Sequence, residues 1–246
     1  MRIALLKADY VNEDLLADHG DLPDMFGRFF GCSSSLAATA DDVCSLISYD
    51  VRFGAFPTPG SYDVCIITGS RHSVNDDHNW IKTLIAFIRN RQAVGDAFVG
   101  FCFGHQLLAK AFGGTIGPGV IGWNVGLWPV DIRERCLWMA PESGTFQALF
   151  NHREQVLLPP PGARLLASDT SCPVQMFSLG DRVLGVQFHP EYTLTYQQAI
   201  MAVPESLSKA AFEDAKHRNA TQPRGDGILR DWVKRFTALT KTQAAV

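Results

Sequence analysis

The segment Phe98-Val99-Gly100-Phe101-Cys102-Phe103-Gly104-His105-Gln106 restricts the fold of this chain more than any other. The apolar run Ala97–Phe101 reads as a buried strand, and His105–Phe112 reads as a helix closed by Gly113-Gly114. A residue held on a sharp turn between such a strand and helix requires glycine two positions before and two after it, because a side chain there would strike the kinked backbone. Gly100 and Gly104 stand at those offsets around Cys102. The turn also sets the sulfur at a helix N-terminus, whose partial positive charge favours thiolate over thiol.

The rest of the first half alternates short apolar runs with helical patterns, which implies crossovers onto a parallel, buried sheet and a layered α/β fold. Ile3–Leu6 reads as the first strand, Pro23–Phe30 as a short helix, and Tyr62–Thr68 as a strand that ends at Gly69-Ser70. Asp77 is placed to cap a helix on which Trp80, Ile81, Leu84, Ile85 and Ile88 share a face up to about Arg91. The second half changes character. Leu127–Ile132, Ala163–Ser168, Val174–Leu179 and Val183–Phe188 read as short strands, with a hairpin through Gly180-Asp181, and are expected to lie antiparallel on one edge. After Tyr192 the chain turns helical, with Ile228, Trp232, Phe236 and Leu239 on one face of a last helix. Arg218–Gly227 reads as a polar loop and Thr240–Val246 as a fraying end.

Composition removes several classes of function. With 246 residues, 46% hydrophobic and 19% charged, the chain has the make-up of a globular protein with a sizeable core. The 22 basic and 25 acidic residues give a net charge of −3, with no basic run suited to a nucleic-acid backbone. No stretch of about 18 uncharged apolar residues is present to span a membrane. The amino terminus has one short apolar run closed by Lys7, without the features of a signal peptide, so a cytoplasmic location is expected. Cysteines 32, 44, 65, 102, 136 and 172 form no C-x-x-C pair for zinc, and all are expected as reduced thiols. Neither a metal nor a cofactor is expected.

A thiolate nucleophile needs a base, and the base needs a third group to fix its tautomer. His189 follows a strand end directly in Phe188-His189-Pro190-Glu191, where Pro190 stiffens the backbone and Glu191 can hold the ring. His105 lies along the first turn of a helix and reads as structural. His72, His78 and His152 lie in expected loops without an orienting neighbour. Acyl transfer also needs backbone donors for an oxyanion: the Phe103 amide opens the helix, and Gly69-Ser70 ends a neighbouring strand.

Taken together, Gly100-Phe101-Cys102-Phe103-Gly104-His105-Gln106, Thr68-Gly69-Ser70 and Phe188-His189-Pro190-Glu191 resemble the class I glutamine amidotransferase domain. The resemblance runs from about Ile3 to Tyr192, with its two signatures 189 − 102 = 87 residues apart. It implies a flavodoxin-like α/β fold with a mostly parallel central sheet, helices on both faces and antiparallel edge strands. Residues 1–192 would form this domain, and 193–246 a helical extension packed on it.

The resemblance further implies a Cys102–His189–Glu191 triad that cleaves a γ-glutamyl amide through a thioester, with Gly69 and Phe103 holding the oxyanion. Gln106, Asn151 and Ser70 would contact the glutamyl group. Arg71 stands where many members have glycine, so it would narrow the pocket or meet a substrate carboxylate; Arg71 and Trp123 are expected at its entrance. No P-loop appears. Ser73-Val74-Asn75-Asp76 and the absence of a synthase segment after Tyr192 look most like the free-standing GMP-synthase-like and γ-glutamyl peptidase members. Three functions remain: hydrolysis of glutamine, a γ-glutamyl peptide or a γ-glutamyl amine; a glutaminase subunit that sends ammonia to a separate synthase; and a silent binding or regulatory module, which the complete triad speaks against.

Overall fold

A computed structural model describes residues 1–32, 44–140, 144–202, 213, 215 and 224–243. Its centre is a seven-stranded sheet. β1 (Arg2–Lys7) pairs in parallel with β2 (Ser45–Asp50) and β3 (Val64–Ile67). β4 (Phe98–Phe101) lies parallel between β3 and β11 (Val183–Val186), while β10 (Met176–Leu179) runs antiparallel to β11 and to β9 (Arg164–Ala167). The resulting order is β2-β1-β3-β4-β11-β10-β9. β3, β4 and β11 are buried at every position, as strands covered on both faces must be.

Side-chain alternation along the strands divides the core into two layers. Ile3 and Leu5 join Phe26, Phe30, Trp232 and Phe236 on one face, from α2 (Leu22–Phe30) and α6 (Asp226–Gln243). Ala4 and Leu6 join Leu84, Ile88, Leu107 and Leu108 on the other, from α3 (Asn79–Ala93) and α4 (Phe103–Ala111). Two further helices are α1 (Glu13–His19) and α5 (Leu194–Ala202). No helix among the described residues is long and apolar enough to cross a membrane.

Several expectations need correction. Leu127–Ile132 does not extend the sheet edge: β6 (Asn124–Val130) pairs with β7 (Phe146–His152) in a separate ribbon, and only Ile132 bridges to Ala167 of the main sheet. A second ribbon joins β5 (Thr115–Pro118) to β8 (Glu154–Leu158). Asn151 and His152, expected in a loop, are the last residues of β7; their polar side chains disguised a strand whose partner is β6. The cap of α3 is His78 rather than Asp77, which pairs with Lys82 instead. Of the expected loop Arg218–Gly227, residues 218–223 lie outside the described residues, and α6 already begins at Asp226. α6 runs to Gln243 with Thr240 buried, so fraying does not start at Thr240; residues 244–246 are outside the described set.

The expectation of six reduced cysteines is also overturned. Cys32 and Cys44, 12 residues apart, form a disulfide with a Cα–Cα distance of 4.6 Å. One follows α2 and the other precedes β2, a proximity created by packing rather than by spacing. Cys65, Cys102, Cys136 and Cys172 are free.

Candidate active site

Parallel strands deliver their carboxyl ends to one edge of the sheet. Here β3 delivers Thr68-Gly69, β4 delivers Cys102, and β11 leads through Gln187 and Phe188 to His189.

Cys102 is the N-cap of α4, with φ 49° and ψ −103°, and it is the one non-glycine residue at positive φ among those described. Such a conformation is strained and persists only where its surroundings enforce it. Its N–H donates to the Val186 carbonyl at 2.9 Å, and its carbonyl accepts from the Gln106 N–H at 3.0 Å, so strand and helix both hold the turn. A Cβ on Gly100 would lie 2.3 Å from the Gly104 carbonyl group, and one on Gly104 would lie 2.5 Å from the Ile67 oxygen. Backbone on either side leaves no room for a methyl group.

His189 donates its backbone N–H to the Leu149 carbonyl at 2.7 Å, which ties the strand end to β7. Its Nδ1 lies 2.8 Å from Glu191 Oε1, so the other ring nitrogen is the one left for the Cys102 side chain, with which the imidazole also interacts. Burial alone would push the His189 imidazole down, but the Glu191 carboxylate and Cys102 outweigh it and raise it to about 10. A Cβ on Gly69 would sit 2.9 Å from His189 Cε1 and 3.8 Å from Cys102 Cβ, which puts the Gly69 backbone against both side chains. Thr68 Oγ1 donates to the Gly69 carbonyl at 2.9 Å and fixes that peptide. The Phe103 amide lies in the first turn of α4, where no intrahelical acceptor exists.

The remaining expected residues divide. Asn151 reaches the site through its main chain, its carbonyl accepting from Cys102 Sγ at 3.9 Å. Gln106 is buried and its Nε2 donates to the Glu154 carbonyl at 2.6 Å and to Gln187 Oε1 at 3.2 Å, bracing α4 against β8 and the end of β11. Ser70 Oγ donates to the Ala8 carbonyl at 3.1 Å. Arg71 donates from its backbone N–H and its Nε to Asp9 Oδ2, at 2.7 and 3.0 Å, and from Nη2 to the Tyr10 carbonyl. Its charge is therefore partly offset. Trp123 packs against Val125, Met201 and Ala215. His105 is fully buried beside Phe177, where burial pushes it down to about 3, so it is a neutral core residue as the sequence suggests.

Two participants escaped the sequence reading. Tyr192 stacks on His189, and Asp9 anchors Arg71. For Tyr192 a signal existed, an aromatic three residues after His189 in a stiff Pro-containing turn; Asp9 carried none. Two clefts border Glu191, one of about 450 Å³ that also contacts His19, Arg28 and Tyr196, but Cys102 lines neither and is only 6% exposed.

Comparison with known proteins agrees with this geometry. The family model described as glutamine amidotransferase class-I matches residues 52–203. The chain is similar to gamma-glutamyl peptidase 3 of Arabidopsis thaliana, 34% identical over 192 residues that cover 74% of this chain and 76% of the relative. It is also similar to the glutamine-hydrolyzing subunit of GMP synthase from Sulfurisphaera tokodaii, 32% identical over 53% of this chain and 68% of that protein. Its fold matches that of a glutamine amidotransferase from Thermotoga maritima with a TM-score of 0.69 at 18% identity, covering 96% of this chain and 98% of the other.

Proposed function

The chain belongs to the class I glutamine amidotransferase family, and on that premise we propose that it hydrolyses a γ-glutamyl amide bond through Cys102, His189 and Glu191. The observation that carries this reading is the placement of His189: one ring nitrogen is held 2.8 Å from Glu191, and the ring lies against a cysteine on a strained turn at a helix N-terminus.

The Cys102 sulfur, deprotonated by His189, attacks the γ-carbonyl carbon of the substrate. The tetrahedral oxyanion is met by the Gly69 and Phe103 amides, donors set in place before the charge develops. The imidazolium then gives its proton to the leaving nitrogen, the C–N bond breaks, and a γ-glutamyl thioester remains. Water, with His189 as base, attacks the thioester carbon; glutamate leaves and the sulfur is restored. Glu191 holds the imidazole in one tautomer throughout and stabilises its charged form. Gln106 keeps its amide oxygen for the substrate ammonium, Asn151 and Ser70 shape the glutamyl pocket, and the exposed part of Arg71 meets a substrate carboxylate. The substrate is a small molecule; glutamine, a γ-glutamyl peptide and a γ-glutamyl amine share this head group.

The test is release of p-nitroaniline from γ-glutamyl p-nitroanilide by the full chain. Cys102→Ser is expected to abolish the reaction while the circular dichroism spectrum is kept, and full activity in that variant would remove Cys102 as nucleophile. A second reading, a glutaminase that passes ammonia to a separate synthase chain, draws on the likeness to the GMP synthase subunit of Sulfurisphaera tokodaii. Under it, glutamine hydrolysis rises sharply when a synthase partner is added; under the first it does not.

A further inference from the structure

The loop between Gly69 and α3 carries a second group of converging side chains, outside the Cys102 site. His72 Nδ1 lies 3.6 Å and His78 Nε2 3.9 Å from the same carboxylate oxygen, Asp76 Oδ2. All three ligand atoms lie within 4.8 Å of one another, the one such group of metal-ligating side chains found among the described residues. We propose that this loop binds a divalent transition-metal ion of the zinc type through His72 Nδ1, Asp76 Oδ2 and His78 Nε2, with water completing the coordination.

The distances favour a shared ion over direct pairing. At 3.6 and 3.9 Å neither imidazole makes a hydrogen bond to the carboxylate. Ligand atoms about 2.0–2.1 Å from a tetrahedral zinc are roughly 3.4 Å apart, so small side-chain rotations close the shell. Two imidazoles and one carboxylate select zinc-like ions, whereas calcium and magnesium call for shells of oxygen. The three side chains are between 35 and 47% exposed, which gives an ion and its waters access from solvent.

The ligands are also held from behind, as metal ligands usually are. Asp76 Oδ2 accepts the Ser73 N–H at 3.0 Å, and Ser73 Oγ donates to the Glu154 carboxylate. Lys110 of α4 donates to the Val74 carbonyl at 2.7 Å and to Asn75 Oδ1 at 2.9 Å, closing the turn that presents Asp76. The imidazoles meet edge to face with centroids 4.9 Å apart, and His78 stacks over Trp80, itself packed on Phe103. The sequence hid this arrangement because Asp76 comes between the two histidines only through the fold of the loop.

The test titrates Zn²⁺ into the full chain carrying Cys102→Ser, which removes the competing sulfur beside His189, with a chromophoric chelator as competitor. One ion per chain is expected. His72→Ala, Asp76→Ala and His78→Ala should each weaken binding about tenfold or more, while Asp77→Ala, one residue away and exposed, leaves it unchanged. Unaltered zinc affinity in the His72→Ala/His78→Ala double variant would overturn the site. Should that variant fail to fold, anomalous diffraction from a zinc-soaked crystal of the unaltered chain decides: a peak among the three side chains supports the proposal, and none there refutes it. These readouts are independent of γ-glutamyl hydrolysis.

Discussion

Tyr192 lies flat on the His189 imidazole, with ring centroids 4.0 Å apart and planes 9° from parallel. Tyr196 meets Tyr192 edge-on at 4.7 Å, so the imidazole rests on an aromatic stack rather than on water. Glu191 fixes the ring in its own plane, and Tyr192 stops it tilting out of that plane. A base held within a narrow range of angles is what repeated proton transfer between sulfur, leaving group and water demands.

Tyr192→Ala should therefore lower kcat for γ-glutamyl p-nitroanilide by about 10- to 100-fold with little change in KM, the scale of a small misplacement of a catalytic group. Tyr192→Phe keeps the flat face and should restore the rate to near the unaltered value. Steady-state kinetics on both variants separate loss of positioning from loss of the phenol hydroxyl.

The His189–Glu191 pair sets a pH window for stability. His189 is raised to about 10 in the folded chain, against about 6.5 when unfolded, so the folded state holds the extra proton between those values. Its contribution is fully present below about pH 6.5 and is lost as pH rises towards 10, at a slope of at most about 1.4 kcal/mol per pH unit. Urea unfolding at pH 7 and pH 9, in the Cys102→Ser background, should show this decline; adding Glu191→Gln should flatten it.

Gly100→Ala should cost about 3 kcal/mol or prevent folding, because the new methyl group would meet backbone atoms of Gly104 and His105 that cannot rotate away. Gly54→Ala is the matched control. Gly54 has φ +78° but nothing within 4 Å of an added Cβ, so only left-handed strain of about 1 kcal/mol is expected. Urea midpoints measured side by side test the difference.

The Cys32–Cys44 bond makes a chemical prediction. Alkylation of unfolded, unreduced protein should label 6 − 2 = 4 cysteines, and all six after reduction, as read by intact mass. Cys32→Ser/Cys44→Ser should lower stability by about 3 kcal/mol, the loop-closure scale for a bridge across 12 residues.

The elements that the sequence revealed were those with an uninterrupted signal. β3 and β4 are short apolar runs ended by glycine or by the Cys102 turn, and α3 carries a regular apolar face. α1 buries none of its side chains and β2 is half exposed, so neither had a pattern to read. β7 ends in Asn151 and His152, two residues that argue locally for a loop and become strand only because β6 lies opposite. Arg71 was legible as an unusual residue, but its restraint by Asp9 joins positions 62 residues apart.

What the amino-acid sequence determined by itself is the turn at Cys102, because the demand for glycine at positions 100 and 104 is a local steric rule. It also determined the alternation of buried strands and helices, because periodicity is a property of neighbours along the chain. Only the tertiary structure decided that His189 meets Cys102 and rests on Tyr192, that Cys32 bonds Cys44, and that Asp76 stands between two histidines. Those relationships depend on where strand ends and loops converge in space, and that convergence is set by the packing of the whole sheet.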